Sequence, residues 1–111
     1  MTESEFLDLA EETMDAIEAA LERATDAGEV DVECSRSGNV LDVEFVENGS
    51  KIIVNSQAPM QEMWLAARVG GVHYRRENNR WINTRDGSEL YAALSGIISD
   101  QTGVSVTLSE A

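Results

Sequence analysis

Hydrophobic residues recur every three or four positions over residues 4–25 and every second position over much of the chain that follows. In the first stretch they share one helical face, and acidic residues occupy the opposite face. The residues of the apolar face are Phe6, Ala10, Met14, Ile17, Leu21 and Ala24. This period predicts an amphipathic helix, with Ser4 as its N-cap and Asp26-Ala27-Gly28 as its stop.

The alternating region predicts about six short strands separated by turn residues. The strands are expected at 30–34, 41–45, 51–55, 63–69, 72–77 and 80–84. The strongest turn signal is Asn48-Gly49, and Gly70-Gly71 is a second one. A second helix is expected to open at Asp86-Gly87-Ser88 and to end at Gly103, with an extended tail over 104–108.

Short turns between consecutive strands predict an antiparallel meander, and both helices must bury their apolar stripes on one face of it. The expected fold class is α+β, a two-layer α/β sandwich that forms a single domain over residues 1–111. In that fold Trp81 belongs to the core, and Cys34 acts as a small buried hydrophobe.

The formal net charge of −13 lies entirely in the first 47 residues, which hold fifteen acids and two bases. Such a field disfavours binding to nucleic acid or to an anionic membrane, because both require clustered Lys and Arg. The N-terminus has no basic segment followed by an apolar one, so we expect a complete cytoplasmic protein.

Acids on the first helix are spaced by three or four residues, which places neighbouring carboxylates about 5–6 Å apart. Their mutual repulsion suggests that something positive binds there. Exposed oxygen ligands suit hard cations such as Ca²⁺, Mn²⁺, Fe²⁺ or Fe³⁺, held weakly and exchanged quickly. A basic protein surface is a second possibility, and a merely solubilising face is a third.

Other chemistry is poorly supported by the sequence. The single histidine, His73, is expected to be structural or exposed, and no P-loop or nucleophile motif occurs. An enzyme is therefore not expected. The segment from Asn55 to Leu65 is more informative, because alternation leaves Trp64 either in the core or on an open sheet face beside polar amides.

These residues together resemble the frataxin family, and within it the bacterial branch. The most specific match is Asn55-x-Gln57-x-Pro59-x-x-x-x-Trp64-Leu65-Ala66, supported by Leu9 to Asp15 and by Gly70-Gly71, Trp81 and Asp86-Gly87. Glu62 departs from the pattern, since the family usually has Gln there. Leu7 departs too, because some bacterial members carry a helix histidine at that position.

The resemblance implies a frataxin-like fold and a non-catalytic, iron-binding protein of iron–sulfur cluster assembly. It implies partners, namely a cysteine desulfurase and the scaffold protein. Iron (Fe²⁺/Fe³⁺), weakly bound, is expected at acids that we call the acidic ridge: Glu3, Asp8, Glu11, Glu12, Asp15, Glu18, Glu22, Asp31 and Glu33. The expected partner contacts are Glu18, Glu22, Asn55, Gln57 and Trp64.

We expect the protein to be a monomer, and oligomers that form only with metal are the alternative. The competing hypothesis is an acidic interaction module, such as an inhibitor that mimics nucleic acid, without any metal function. That hypothesis predicts affinity for a DNA-binding protein, and it gives no reason for the segment from Asn55 to Leu65.

Overall fold

A computed structural model describes residues 1–68 and 70–108 of the chain. Along the chain, a first helix is followed by six strands and then by a second helix, in the order α-β-β-β-β-β-β-α. The elements are α1 (Glu3–Asp26), β1 (Val32–Ser37), β2 (Val40–Phe45), β3 (Lys51–Gln57), a 3-10 turn (Ala58–Met60), β4 (Glu62–Ala67), β5 (Gly70–Glu77), β6 (Arg80–Asn83) and α2 (Leu90–Thr102). No helix in the described ranges is long and apolar enough to cross a membrane.

The sheet is the predicted antiparallel meander, with strand order β1-β2-β3-β4-β5-β6. Alternate residues of each strand face the helices. In β2 these are Leu41, Val43 and Phe45, all buried, while Asp42 and Glu44 between them point to the opposite, open face. Both helices therefore cover one side of the sheet, which confirms the two-layer α+β sandwich.

Helix α1 buries all six residues of its predicted apolar face. Its first turn differs from the prediction, because Thr2 and not Ser4 is the N-cap. The Thr2 hydroxyl accepts from the Glu5 amide at 3.1 Å, and the Glu5 carboxylate accepts from the Thr2 amide at 3.0 Å. This reciprocal capping box explains why the helix starts two residues earlier than expected.

Trp81 lies in the core, as predicted, with 1% of its surface exposed. Its ring meets Phe6 edge to face at a centroid distance of 6.0 Å. Its indole N–H donates to the Thr13 hydroxyl at 2.7 Å, which gives the buried polar group a partner. The bond joins α1 to the far edge strand, so it fixes the helix across the sheet.

Helix α2 begins later than predicted, after Glu89, whose carboxylate caps the amides of Tyr91 and Ala92. It ends as predicted at Gly103, which adopts φ 74°, a conformation that favours glycine. The tail forms no strand. Instead, the amides of Val106 and Leu108 donate to the hydroxyls of Ser99 and Ser95 at 3.0 and 2.7 Å.

Several strand boundaries differ from the prediction, and two of the differences come from turn signals that the structure does not follow. β1 runs on to Ser37, through residues predicted to turn, and the turn is confined to Gly38 and Asn39. Gly70 and Gly71 pair with Ala67 and Ala66 and so belong to β5. Glycine can extend a strand when its neighbours pair, and the ladder with β4 outweighs the turn signal. The predicted end of β4 at residue 69 lies outside the described residues.

Candidate functional site

Four carboxylates line the flank of α1 that lies beside the edge strand β1. We call them the acidic strip: Glu11, Asp15, Glu18 and Glu22. They are separated by four, three and four residues, so they project from one side of the helix. Their position is fixed by contacts with β1, since Asp15 and Glu18 bind Arg36 and Glu11 shares a groove with that arginine.

Cys34, also in β1, shows how the negative charge converges on this strand. Burial, together with the nearby carboxylates of Glu18, Glu22 and Asp42, raises the pKa of its thiol to about 11. The first two belong to the helix and the third to β2. Helix and sheet acids therefore surround the same strand. The thiol is half-buried against the core, close to its predicted role.

Two acids of the predicted ridge, Asp31 and Glu33, extend the negatively charged surface from α1 to the edge of the sheet. Glu33 is exposed on the open face, directly opposite Glu44 in the β1–β2 register. Asp31 is exposed just before β1. Like charges opposite each other destabilise a strand pair. Acids therefore flank the edge strand on both sides, those of α1 on its helix side and Glu33 on its open side.

Three other members of the ridge belong to α1 but not to the strip. Glu3 is the first residue of α1, and Asp8 and Glu12 occupy its outer, solvent-facing side. Within residues 1–68 and 70–108, no three His, Cys, Asp or Glu side chains are gathered as a metal-holding group. The ridge is therefore a spread of exposed oxygens, and any cation there would have few protein ligands and many waters.

Arg36 is a member of this site that the sequence analysis missed. Its Nη1 atom donates to Asp15 Oδ1 at 2.7 Å and lies 3.3 Å from Glu18 Oε1. Burial acts to lower the pKa of the guanidinium, but the two carboxylates outweigh it and the pKa is raised. The signal was present in the sequence, because Arg36 is in alternating phase with Val32 and Cys34, which face the helices.

A second cluster occupies the open face of the sheet. Trp64 in β4 lies between Asn55 of β3 and His73 of β5 in the strand register. Its ring stacks on the His73 ring, and its indole N–H donates to Glu62 Oε1 at 2.9 Å. Trp64 is half-buried on this face. Of the two predicted positions, the core or the open sheet face, the structure therefore shows the open face.

Glu62 is the buried centre of this cluster, with 4% of its surface exposed. Besides Trp64, it accepts from Arg75 Nε at 3.1 Å, and His73 Nδ1 lies 3.4 Å from it. The hydrogen bond from Trp64, helped by Arg75 and His73, lowers the pKa of the Glu62 carboxyl against the effect of burial. A buried carboxylate is stable here because each oxygen has a donor.

The predicted amides complete the same face. Gln57 Nε2 donates to Asn55 Oδ1 at 2.9 Å, and both side chains are half-buried. Asn55, Gln57 and Trp64 are therefore brought together, as predicted. Glu62, His73 and Arg75 were not predicted as members. Their alternation with core residues such as Met63 and Tyr74 was the available signal.

Comparisons with known proteins agree with this architecture. A family model described as a frataxin-like domain matches residues 1–104. The chain belongs to the frataxin family. It is 62% identical to the iron-sulfur cluster assembly protein CyaY of Janthinobacterium sp. (strain Marseille), over 100% of this chain and 99% of that protein. The CyaY protein of Cupriavidus taiwanensis is 63% identical, over 96% of each chain.

Solved structures place this frataxin-family chain in the same fold. Frataxin from Psychromonas ingrahamii matches with a TM-score of 0.87 and 35% identity, over 100% of this chain and 99% of that one. Trimeric frataxin from the yeast Saccharomyces cerevisiae, solved in a ferrous complex, matches with a TM-score of 0.69 and 25% identity, over 86% of each chain. The resemblance found in the sequence, including its bacterial CyaY branch, is confirmed.

Proposed function

We propose that this CyaY-family protein binds iron loosely along its acidic ridge and docks on a cysteine desulfurase through the same surface. The observation that carries the proposal is the acidic strip beside β1, continued by Asp31 and Glu33 around the sheet edge. Such a surface attracts iron as a cargo and attracts a basic protein patch for the same electrostatic reason.

The open face supplies the second contact in this proposal. Trp64 is a large side chain whose ring and N–H are already oriented, and it lies beside the amides of Asn55 and Gln57. Tryptophan in such a setting is a typical interface hot spot. We propose that this face binds the scaffold protein while the ridge binds the desulfurase, and that the protein thereby modulates cluster formation without catalysing a step itself.

A cation titration tests the metal part of the proposal. Mn²⁺, as a paramagnetic probe, is expected to broaden amide NMR signals of residues 3–33 first, and Fe²⁺ under anaerobic conditions is expected to follow the same order. Ca²⁺ is expected to shift the same signals with weaker affinity. Even broadening over the whole surface would show that the ridge is not a metal site.

Charge reversal tests the docking surface. The double variant E18K/E22K is expected to weaken desulfurase binding at least tenfold in low salt, because close interfacial charge pairs couple by at least about 1.5 kcal/mol. The matched control E77K/D100K makes the same charge change at two exposed positions away from the ridge. Equal affinity of both variants for the desulfurase would contradict docking through the strip.

We propose that the protein functions as a monomer, which can associate into oligomers when metal is added. Light scattering across the Mn²⁺ titration measures this directly. A trimer in the absence of metal would replace the monomer in the proposal without changing the two surfaces.

A further inference from the structure

The only polar atom of the Trp64 side chain is already bonded within the open face. Its indole N–H donates to Glu62 Oε1 at 2.9 Å, and one face of its ring is stacked on His73. An indole has one donor and no acceptor. The exposed part of Trp64 therefore suits an apolar side chain of a partner, because a polar group placed there would lose its hydration without gaining a bond.

Arg75 presents a different kind of surface. Its Nε atom donates to Glu62 Oε2 at 3.1 Å, while its side chain is 63% exposed. A guanidinium has five N–H donors, so four remain on its two Nη atoms. Among residues 1–68 and 70–108, no acceptor is bonded to those Nη atoms. The group that suits them best is a carboxylate, which can accept two parallel N–H bonds from a guanidinium.

Glu62 joins these two surfaces through its two oxygens, one bonded to Trp64 and the other to Arg75. Glu62 lies directly opposite Arg75 in the strand register, and Trp64 lies opposite His73. The ring and the guanidinium therefore belong to diagonal neighbours, whose Cα atoms are about 7–8 Å apart. The carboxylate is buried and the guanidinium is exposed, so a partner meets the positive member of the pair.

Other acids do not shield Arg75 from an acidic partner group. Asp42 and Glu44 belong to β2, which is three strands away from β5 in the sheet. Glu77 is the next charged residue of β5 on this face, and it lies opposite Arg80 of β6, which balances its charge. An acidic side chain can therefore approach Arg75 without meeting an uncompensated carboxylate on the neighbouring strands.

We propose that Trp64 and Arg75, coupled through Glu62, form one recognition unit that fits a partner surface carrying an acidic side chain beside an apolar one. This inference rests on the proposed binding of the scaffold protein to the open face, and it names the chemistry that the scaffold presents there. Arg75 determines specificity, and Glu62 is a positioning residue. Holding both groups in place before binding lowers the entropy lost on binding.

Substitution of Arg75 in the full chain tests the recognition of an acid. R75M keeps the bond between Trp64 and Glu62, and we expect scaffold affinity to fall about tenfold, since hydrogen bonds to a charged group are lost. R75K keeps the charge without the planar fork and should bind with intermediate affinity. R75E should bind more weakly than R75M. The matched control R85E makes the same charge change at an exposed position in the turn after β6 and should alter affinity less than twofold.

Charge reversal on the scaffold protein then locates the acid. One Asp or Glu to Lys substitution among its exposed acids should bring its affinity for R75E to within about threefold of that of the unaltered pair, because the two charges have been exchanged. The same substitution should weaken binding to the unaltered chain. Failure of every such substitution to restore R75E would overturn the acidic partner group.

E62Q tests the positioning role. A glutamine side chain turns an NH₂ donor toward either Trp64 or Arg75, so one of the two bonds is lost. We expect the indole N–H of Trp64 or the Nε–H of Arg75 to exchange with water at least tenfold faster in NMR spectra of folded E62Q, and scaffold affinity to fall with it. If both N–H groups keep their protection while affinity falls, the positioning role of Glu62 is overturned.

The outcomes separate this inference from the proposed function. Weak binding by W64A with normal binding by R75M would leave scaffold docking on the open face in place and overturn the recognition of an acid. Normal scaffold affinity in both W64A and R75M would overturn the proposed docking face and this inference together.

Discussion

The indole ring of Trp64 lies flat against the imidazole ring of His73, with centroids 4.3 Å apart and planes 7° from parallel. The same indole is tied through its N–H to Glu62, which also binds Arg75. A ring restrained on one face and at one edge loses little freedom when a partner covers its remaining surface. Such preorganisation strengthens binding without any added contact.

Replacing Trp64 with Ala should affect binding more than folding. We expect scaffold affinity to fall at least about thirtyfold, which corresponds to the 2 kcal/mol typical of a hot spot. The free energy of unfolding should fall by only about 1 kcal/mol, since cross-strand aromatic pairs contribute about that much. Calorimetric binding and denaturant unfolding measure the two effects. W64F keeps the aromatic stacking, so its scaffold affinity and stability should lie between those of the unaltered protein and W64A. Unaltered scaffold affinity in W64A would contradict the hot-spot role of Trp64.

The Glu62 carboxyl makes the free energy of unfolding depend on pH. Its pKa in the folded protein is lowered from the ordinary value of 4.5, so its stabilising contribution is complete above about pH 4.5 and is lost as the pH falls through the lowered pKa. E62Q should therefore be about 1–3 kcal/mol less stable than the unaltered protein at pH 7. That difference should shrink below pH 4.5 in urea unfolding series.

The control for this series is E12Q, which changes an exposed acid on the outer side of α1. Its stability should stay parallel to that of the unaltered protein at every pH. A constant gap between E62Q and the unaltered protein from pH 7 to pH 3 would show that packing, and not the charge of Glu62, is the source of the difference.

The buried bond between Trp81 and Thr13 should be worth more than an ordinary surface contact. T13V removes the acceptor of the indole N–H and leaves that donor unpaired in the core. We expect a loss of about 1–3 kcal/mol in the free energy of unfolding. T25V is the control, because among the described residues the Thr25 hydroxyl donates to the carbonyl of Leu21 in its own helix and to no side chain. Equal losses in both variants would mean that the bond to Trp81 adds nothing.

Cys34 should be slow to alkylate in the folded protein. A pKa of about 11, against the ordinary 9.0, leaves about a hundredfold less thiolate at pH 8, and the thiolate is the reactive form. Iodoacetamide labelling followed by mass spectrometry should therefore be at least a hundredfold slower in the native protein than in urea. Similar rates in both states would show that the thiol is accessible and unperturbed.

The sequence predicted most of the fold because its two periods are unambiguous. The face from Phe6 to Ala24 and the alternation around Leu41 needed only periodicity, and both were confirmed. The errors fell where local signals compete with pairing. Gly70-Gly71 looks like a turn in isolation and becomes a strand only because Ala66 and Ala67 pair with it. Likewise, Thr2 and Ser4 are both good caps, and Glu5 decides between them by closing the capping box on Thr2.

The two candidate surfaces were predictable to different degrees. Acids on a helix flank follow from spacing, and the amides with Trp64 follow from strand alternation. The pairing of Arg36 with Asp15 and Glu18 joins residues 21 and 18 positions apart, and it depends on how the helix lies across β1. Glu62 was noted only as a departure from the family pattern. Its burial follows from its neighbours on β5, which a linear pattern does not identify.

β1 lies at the edge of the sheet, and within the described residues no other strand pairs with its outer side. Glu33 on that border, with Asp31 just before it, repels a second copy that arrives in the same orientation. We therefore expect these acids to hinder edge-to-edge association between copies of the protein in concentrated solution. When these acids are protonated at low pH, light scattering from aggregates should therefore rise before the core unfolds.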